Sequence, residues 1–212
     1  MYGALYRRVL VPVHERVIKR SHLLDRLAFV QQSQWWSRDR LFAFQRAELR
    51  RLIHHAYEQV PYWRSVFERL KLTPGDIERE EDLRKLPVST KDTMRAHRAD
   101  LVAVGWRGRT WTKATGGSTG EPLEFEYTPQ SQDWRVAVSK RGYEWAGCVD
   151  GVKQAYLWGV PVGRVPAWRR LKETLHHRIA RQRYFNSFEL SEAQIARCQR
   201  ALNLYQPDVI DG

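Results

Sequence analysis

Apolar residues recur at three- and four-residue spacing through the first hundred positions, and that period predicts helices. Leu41, Phe44, Leu49, Leu52, Ile53, Ala56 and Val60 mark one face of an amphipathic helix over 41–60. It must end before Pro61, because the proline ring disfavours helical backbone in the residue ahead of it. Pro61 to Leu70 reads as a second, short helix, and Thr73-Pro74-Gly75-Asp76 supplies cap and turn chemistry. Leu86-Pro87 breaks the next helical stretch, after which Ser89 or Thr90 can cap a helix over 91–99, with Asp92 suited to its dipole. The two arginines at 7 and 8 precede only a short apolar run broken by Pro12, so the pattern contains neither a signal peptide nor a spanning helix.

After Gly105 the period changes. Thr110 to Ala114 is β-prone, a glycine-rich run follows, and Leu123, Phe125 and Tyr127 alternate with Glu124 and Glu126 in a period of two, which predicts strand, loop, strand. Thr128-Pro129 starts a helix whose Trp134, Val138, Arg141 and Trp145 share a face, with Gly147 at its end. Asp150-Gly151 turns into a strand over 154–158, and 159–166 reads as a loop. A basic helix over 168–181 leads to an extended segment over 184–188. Ser191 and Gln194 then form a capping box for a helix carrying Ile195, Cys198, Leu202 and Tyr205, and a further strand begins at Asp208. Helices alternating with strands imply an α/β sheet covered by helices. Such a sheet does not end economically one strand after a helix, so the chain is expected to be a truncated, N-terminal piece. The change in texture places a mainly helical region at 1–104 and an incomplete α/β domain at 105–212.

Composition narrows the class without choosing a function. With 42% hydrophobic and 12% aromatic residues in 212, the chain has enough apolar text to fold around a core. The net charge of +12 suits nucleic acid, an anionic membrane surface or a polyphosphate equally well, but arginines interleaved with Trp, Leu and acids also describe ordinary solvated helix faces. Nucleic acid is disfavoured because no reading motif is present and the nine Trp are dispersed among helical apolar positions. Two cysteines without CxxC spacing favour a reducing compartment without structural zinc, with cytoplasm as the expectation. The adjacent pairs His54-His55 and His176-His177 point about 100° apart on a helix and do not make a metal site.

The stretch that carries chemistry is Thr115-Gly116-Gly117-Ser118-Thr119-Gly120-Glu121-Pro122. Three glycines let backbone N–H groups approach a ligand, and Thr115, Ser118 and Thr119 add hydroxyl donors, a set that suits a polyphosphate. It lacks the Gly-Lys-Ser/Thr ending of a Walker loop and the spacing of GxGxxG. The plain alternative is a Gly/Ser turn closing a hairpin.

This octapeptide resembles the phosphate-binding signature of the adenylate-forming superfamily, which includes the acyl-CoA synthetases and luciferases. It looks most like the branch of phenylacetate-CoA ligase and the capsular polysaccharide biosynthesis protein CapK. His55 to Arg64 is similar to that branch's Val-Pro-Tyr entry segment, Asp82 to Lys91 to its Leu-Pro-x-x-x-Lys stretch, Tyr156 to Gly159 to a sheet strand, and Tyr205 to Gly212 to the segment before the next substrate loop. The resemblance implies the start of the large nucleotide-binding domain of the adenylate-forming fold. It also implies activation of a small-molecule carboxylic acid by ATP with Mg2+ to an acyl-adenylate, then transfer to CoA or another acceptor. Thr115, Gly116, Gly117, Ser118, Thr119 and Gly120 are the expected β- and γ-phosphate contacts. Lys113 adds charge there or, as a strand lysine, faces solvent. The family's ribose-holding Asp and distal catalytic Lys have no counterpart before Gly212, so no catalytic residue is assigned and the 212 residues alone are not expected to complete adenylation. The alternative is a membrane-associated accessory of envelope polysaccharide synthesis, with the basic helix over 168–181 lying on an anionic surface.

Overall fold

The computed structural model describes residues 1–115, 122–158, 166–186 and 191–212, apart from the side chain of Arg169. Contacts group them into two compact units, 31–132 and 1–30 with 133–212. This grouping follows packing, whereas the boundary at 104/105 marks a change of texture, and the first strand begins at Trp111.

In the unit of residues 31–132, α3 (Arg38–Gln59) starts three residues earlier than its apolar period suggests, because Ser37 Oγ accepts the Arg40 N–H at 3.4 Å and caps it. Helix α4 (Pro61–Arg69) begins on Pro61, where a missing N–H costs nothing. Phe67 and Ile77 are fully buried and meet Ile53 of α3, with Leu49, Tyr57, Leu72 and Leu86 packed around them. The Tyr57 and Phe67 rings make an edge contact at 5.7 Å. The turn at Thr73 is a reciprocal cap in which Asp76 Oδ2 accepts both the N–H and the hydroxyl of Thr73 at 2.7 Å.

Helix α5 (Lys91–Ala96), capped by Thr90, is shorter than expected. The following segment turns back so that Asp100 O accepts the Tyr62 N–H at 3.0 Å and Val104 N–H reaches Gln59 O at 2.6 Å, bonds a continuing helix could not make. Strands β1 (Trp111–Ala114) and β2 (Glu124–Tyr127) then form an antiparallel hairpin with Trp111 opposite Tyr127 and Ala114 opposite Glu124.

In the other unit α1, a helix over 2–18 partly wound as π-helix, precedes α2 (Leu23–Ser33), whose residues up to Val30 belong to this unit. Neither is foreshadowed by the reading above. Ala137 of α6 (Pro129–Trp145) is fully buried against Leu23 and Val30, and Trp134 packs beside it. The core face of α6 is thus set by its small residue, while Val138 and Trp145 are exposed. Strands β3 (Gln154–Trp158), β4 (Gln182–Asn186) and β5 (Val209–Asp211) form a parallel sheet in the order β4-β3-β5. Helices α7 (Ala167–Ala180) and α8 (Glu192–Tyr205) are the crossovers. Strand β4 starts two residues before the expected segment because Arg181, in the left-handed region at φ 57°, ends α7 abruptly. Its expected last residues, 187 and 188, lie outside the described residues, as does the loop over 159–165.

Candidate functional site

The glycine-rich run is carried between the two strands of the β1–β2 hairpin. Thr115 N–H donates to Leu123 O at 2.9 Å, and Leu123 N–H donates to Thr115 Oγ1 at 3.0 Å. This two-bond clamp joins the ends of a seven-residue span. Gly116, Gly117, Ser118, Thr119 and Gly120 lie outside the described residues, so of the six expected phosphate contacts the structure places Thr115, at the foot of the loop. Its hydroxyl oxygen is taken as an acceptor by Leu123 while its hydrogen stays available to donate, which is compatible with a role toward a phosphate. Lys113 is exposed beside Phe125 on the opposite strand.

The hairpin is anchored through its glutamates, one of them by Arg98, which the sequence reading did not single out. Arg98 Nη1 lies 3.2 Å from Glu124 Oε2, and Thr110 Oγ1 donates to Glu126 Oε2 at 2.9 Å. Beside β2 is a cavity of about 450 Å3 lined mainly by Val60, Met94, Leu101, Trp106 and Phe125, with His55 and Arg98 among its polar groups. Spacing alone could not have found it, since its walls come from four separate segments.

In the parallel sheet, ligands of α/β folds meet the carboxyl ends of the strands. At that end Tyr143 donates its hydroxyl to Asp211 Oδ2 at 2.8 Å, and this bond, followed by burial, raises the phenol above its ordinary range. Tyr156 stacks on Tyr184 at 4.7 Å, and burial pushes its phenol far upward. Burial likewise raises the Cys148 thiol, which disfavours its thiolate. Among the described residues no cluster of three His, Cys, Asp or Glu could hold a metal ion, and no helix is long and apolar enough to cross a membrane.

No family model matches the chain. It is 29% identical over 175 residues to phenylacetate-coenzyme A ligase of Escherichia coli strain K12, covering 81% of this chain and 38% of that protein. It is 31% identical over 134 residues to the enzyme of the same name from Aromatoleum evansii, covering 62% of this chain and 30% of the relative. The chain therefore spans less than two fifths of the length of these relatives. The structure of 2-hydroxyisobutyryl-CoA ligase in complex with 2-HIB-AMP and CoA aligns with a TM-score of 0.57 at 20% identity, over 82% of this chain and 37% of that one. The fold is that of the adenylate-forming ligases.

Proposed function

We propose that this chain supplies the phosphate-binding hairpin and the first part of the nucleotide-binding domain of an acid-CoA ligase of the phenylacetate-CoA ligase kind. The observation that carries the reading is the Thr115–Leu123 clamp, which pins the Thr-Gly-Gly-Ser-Thr-Gly run between two strands. In this reading 1–104 is the helical region that precedes the ATP-binding domain, and 105–212 is the first part of that domain.

The reaction is attack of a carboxylate oxygen on the α-phosphorus of ATP. The bond to the bridging oxygen breaks, leaving acyl-adenylate and pyrophosphate. A CoA thiol then attacks the acyl carbon, AMP departs and the thiol proton is lost. Catalysis of this kind rests on positioning and on neutralising charge. Thr115, Gly116, Gly117, Ser118, Thr119 and Gly120 hold the β- and γ-phosphates through N–H and hydroxyl donors. Mg2+ would be carried by the phosphates of the nucleotide, where it would neutralise charge on the leaving pyrophosphate. Residues 1–212 supply the contacts to the pyrophosphate half of the nucleotide in this reading. The test is acid-dependent exchange of labelled pyrophosphate into ATP by the full gene product that carries these residues. Exchange that falls at least about tenfold in a Ser118→Ala/Thr119→Ala variant supports the reading; no acid-dependent exchange with any aryl or alkyl acid refutes it.

One observation favours a second reading, a cytoplasmic accessory of capsular or envelope polysaccharide synthesis in the CapK branch that contacts a membrane. Trp168, Leu171, Leu175 and Ile179 form an exposed apolar stripe along α7, flanked by Arg170, Lys172 and Arg178. Co-sedimentation with anionic but not neutral vesicles, abolished by Trp168→Ala/Leu171→Ala, would support it; equal recovery in the supernatant with both would remove it.

A further inference from the structure

We propose that a basic cavity at the amino-terminal ends of β3 and β4 binds a phosphate-bearing small molecule with at least two negative charges, as a site separate from the glycine-rich loop. This inference does not depend on the ligase reading. The cavity, of about 620 Å3, is lined by Lys153, His177, Arg178, Arg181, Arg183 and Tyr205 together with four uncharged residues, and no carboxylate contributes to its wall. Its end of the sheet is opposite the carboxyl ends of the strands, where α/β folds place their substrates.

The cations are fixed in place by neutral groups. Lys153 Nζ donates to Tyr205 O at 3.1 Å, Arg181 Nη1 to Gly151 O at 3.2 Å and Arg183 Nη1 to Ala201 O at 3.4 Å. Carbonyl oxygens orient these side chains without cancelling their charge. Tyr205 is the hub: its ring lies 5.7 Å from Lys153 Nζ and 5.2 Å from Arg183 Cζ, and its hydroxyl donates to Arg181 O at 2.6 Å. Asp208 uses Oδ2 on the backbone N–H of Lys153, at 2.7 Å. Like charges gathered on one hub with neutral partners repel, and a polyanion relieves that repulsion.

Arg181 also ends a helix. It occupies the left-handed position that ends α7, at φ 57° and ψ 41°, where glycine is the favoured residue. Arg20, Lys71 and Gln206 are left-handed as well, so what bears on a ligand is the place of Arg181, half-buried in the cavity wall. Guanidinium forks match phosphate oxygens in pairs, which points to phosphate esters or diphosphates as the ligand class.

The test titrates inorganic pyrophosphate into a Ser118→Ala/Thr119→Ala chain by calorimetry in phosphate-free buffer, so that the loop does not report. Binding is expected to persist there. It should weaken by at least about tenfold when Lys153→Gln/Arg183→Gln or Arg181→Gly is added. Amide exchange of 178–184 should slow on ligand addition in the parent and not in these variants. Arg181→Gly guards against misfolding, since glycine suits that backbone. The proposal is overturned if the loop variant binds no pyrophosphate, if the cavity variants bind unchanged, or if Arg50→Gln/Arg51→Gln on α3 weakens binding equally, which would mean net charge alone.

Discussion

Replacing Thr115 by valine removes the hydroxyl of the hairpin clamp while keeping a β-branched side chain of nearly the same shape. Leu123 N–H, which donates to that oxygen at 3.0 Å, then loses its acceptor, whereas the reciprocal bond from Thr115 N–H to Leu123 O remains. A side-chain hydrogen bond of this kind contributes about 0.5–1.5 kcal/mol net, and a half-buried donor left unpaired costs about 1–3 kcal/mol. Part of the freed N–H is reached by water, so the expected loss is about 1–2 kcal/mol. That raises the population of the opened hairpin end by about 5–30-fold. Hydrogen exchange reads it directly: the amides of Thr115 and Leu123 should exchange faster by that factor in Thr115→Val. Thr115→Ser, which restores the oxygen, should exchange near the parent rate. The urea midpoint should fall too, by about 0.5–1 M for an m-value of about 2 kcal/mol/M, because the closed state is weakened against the unfolded chain as well. Equal exchange in all three proteins would refute the clamp.

Further outcomes follow from the same structure. Phe67→Ala empties a fully buried position packed against Ile53 and Ile77 and should cost about 3–5 kcal/mol in urea unfolding, with a loss below about 1 kcal/mol contradicting the core assignment. Arg181→Gly relieves left-handed strain of about 1 kcal/mol but loses the bond to Gly151 O, so thermal unfolding should leave Tm unchanged or slightly raised. Burial of Glu15 raises its carboxyl, but hydrogen bonds from Ser21, Lys19 and His14 outweigh this and hold it below the ordinary value. Its stabilisation is therefore present above the ordinary glutamate pKa of about 4.3 and lost as pH falls through the folded value. Glu15→Gln should flatten that acid limb in urea midpoints, and an unchanged limb would contradict it. Cys148, buried with its thiol raised, should resist alkylation by iodoacetamide at about pH 8 until the chain is unfolded, which mass spectrometry of the labelled peptide would show.

Legibility in the sequence followed the strength of local signals. The strand over 154–158 and the helix from Ser191 were readable because Gly151, Ser191 and Gln194 punctuate them chemically, and the Ser191 cap forms, with Gln194 N–H at 3.3 Å. The end of α5 was not readable, because it is decided by backbone bonds to Gln59 and Tyr62, remote in sequence. The helices before residue 34 were missed because much of their apolar surface is exposed, Val17 and Ile18 among it, so no clean period marks them. The octapeptide announced itself through its residue order, and the structure adds what order cannot, the clamp at its base. The basic cavity shows the opposite case. Lys153, Arg178, Arg181 and Arg183 come from three elements or their ends, and only the parallel pairing of β3 with β4 gathers them.

The most direct test of the central claim is amide exchange of the peptide 115–123 in this chain, with and without saturating Mg-ATP. The account predicts slowed exchange in that peptide for the parent protein and none for Ser118→Ala/Thr119→Ala. Exchange unaffected by nucleotide in the parent, or equally slowed in the variant, would contradict the assignment of this loop to the phosphates of ATP.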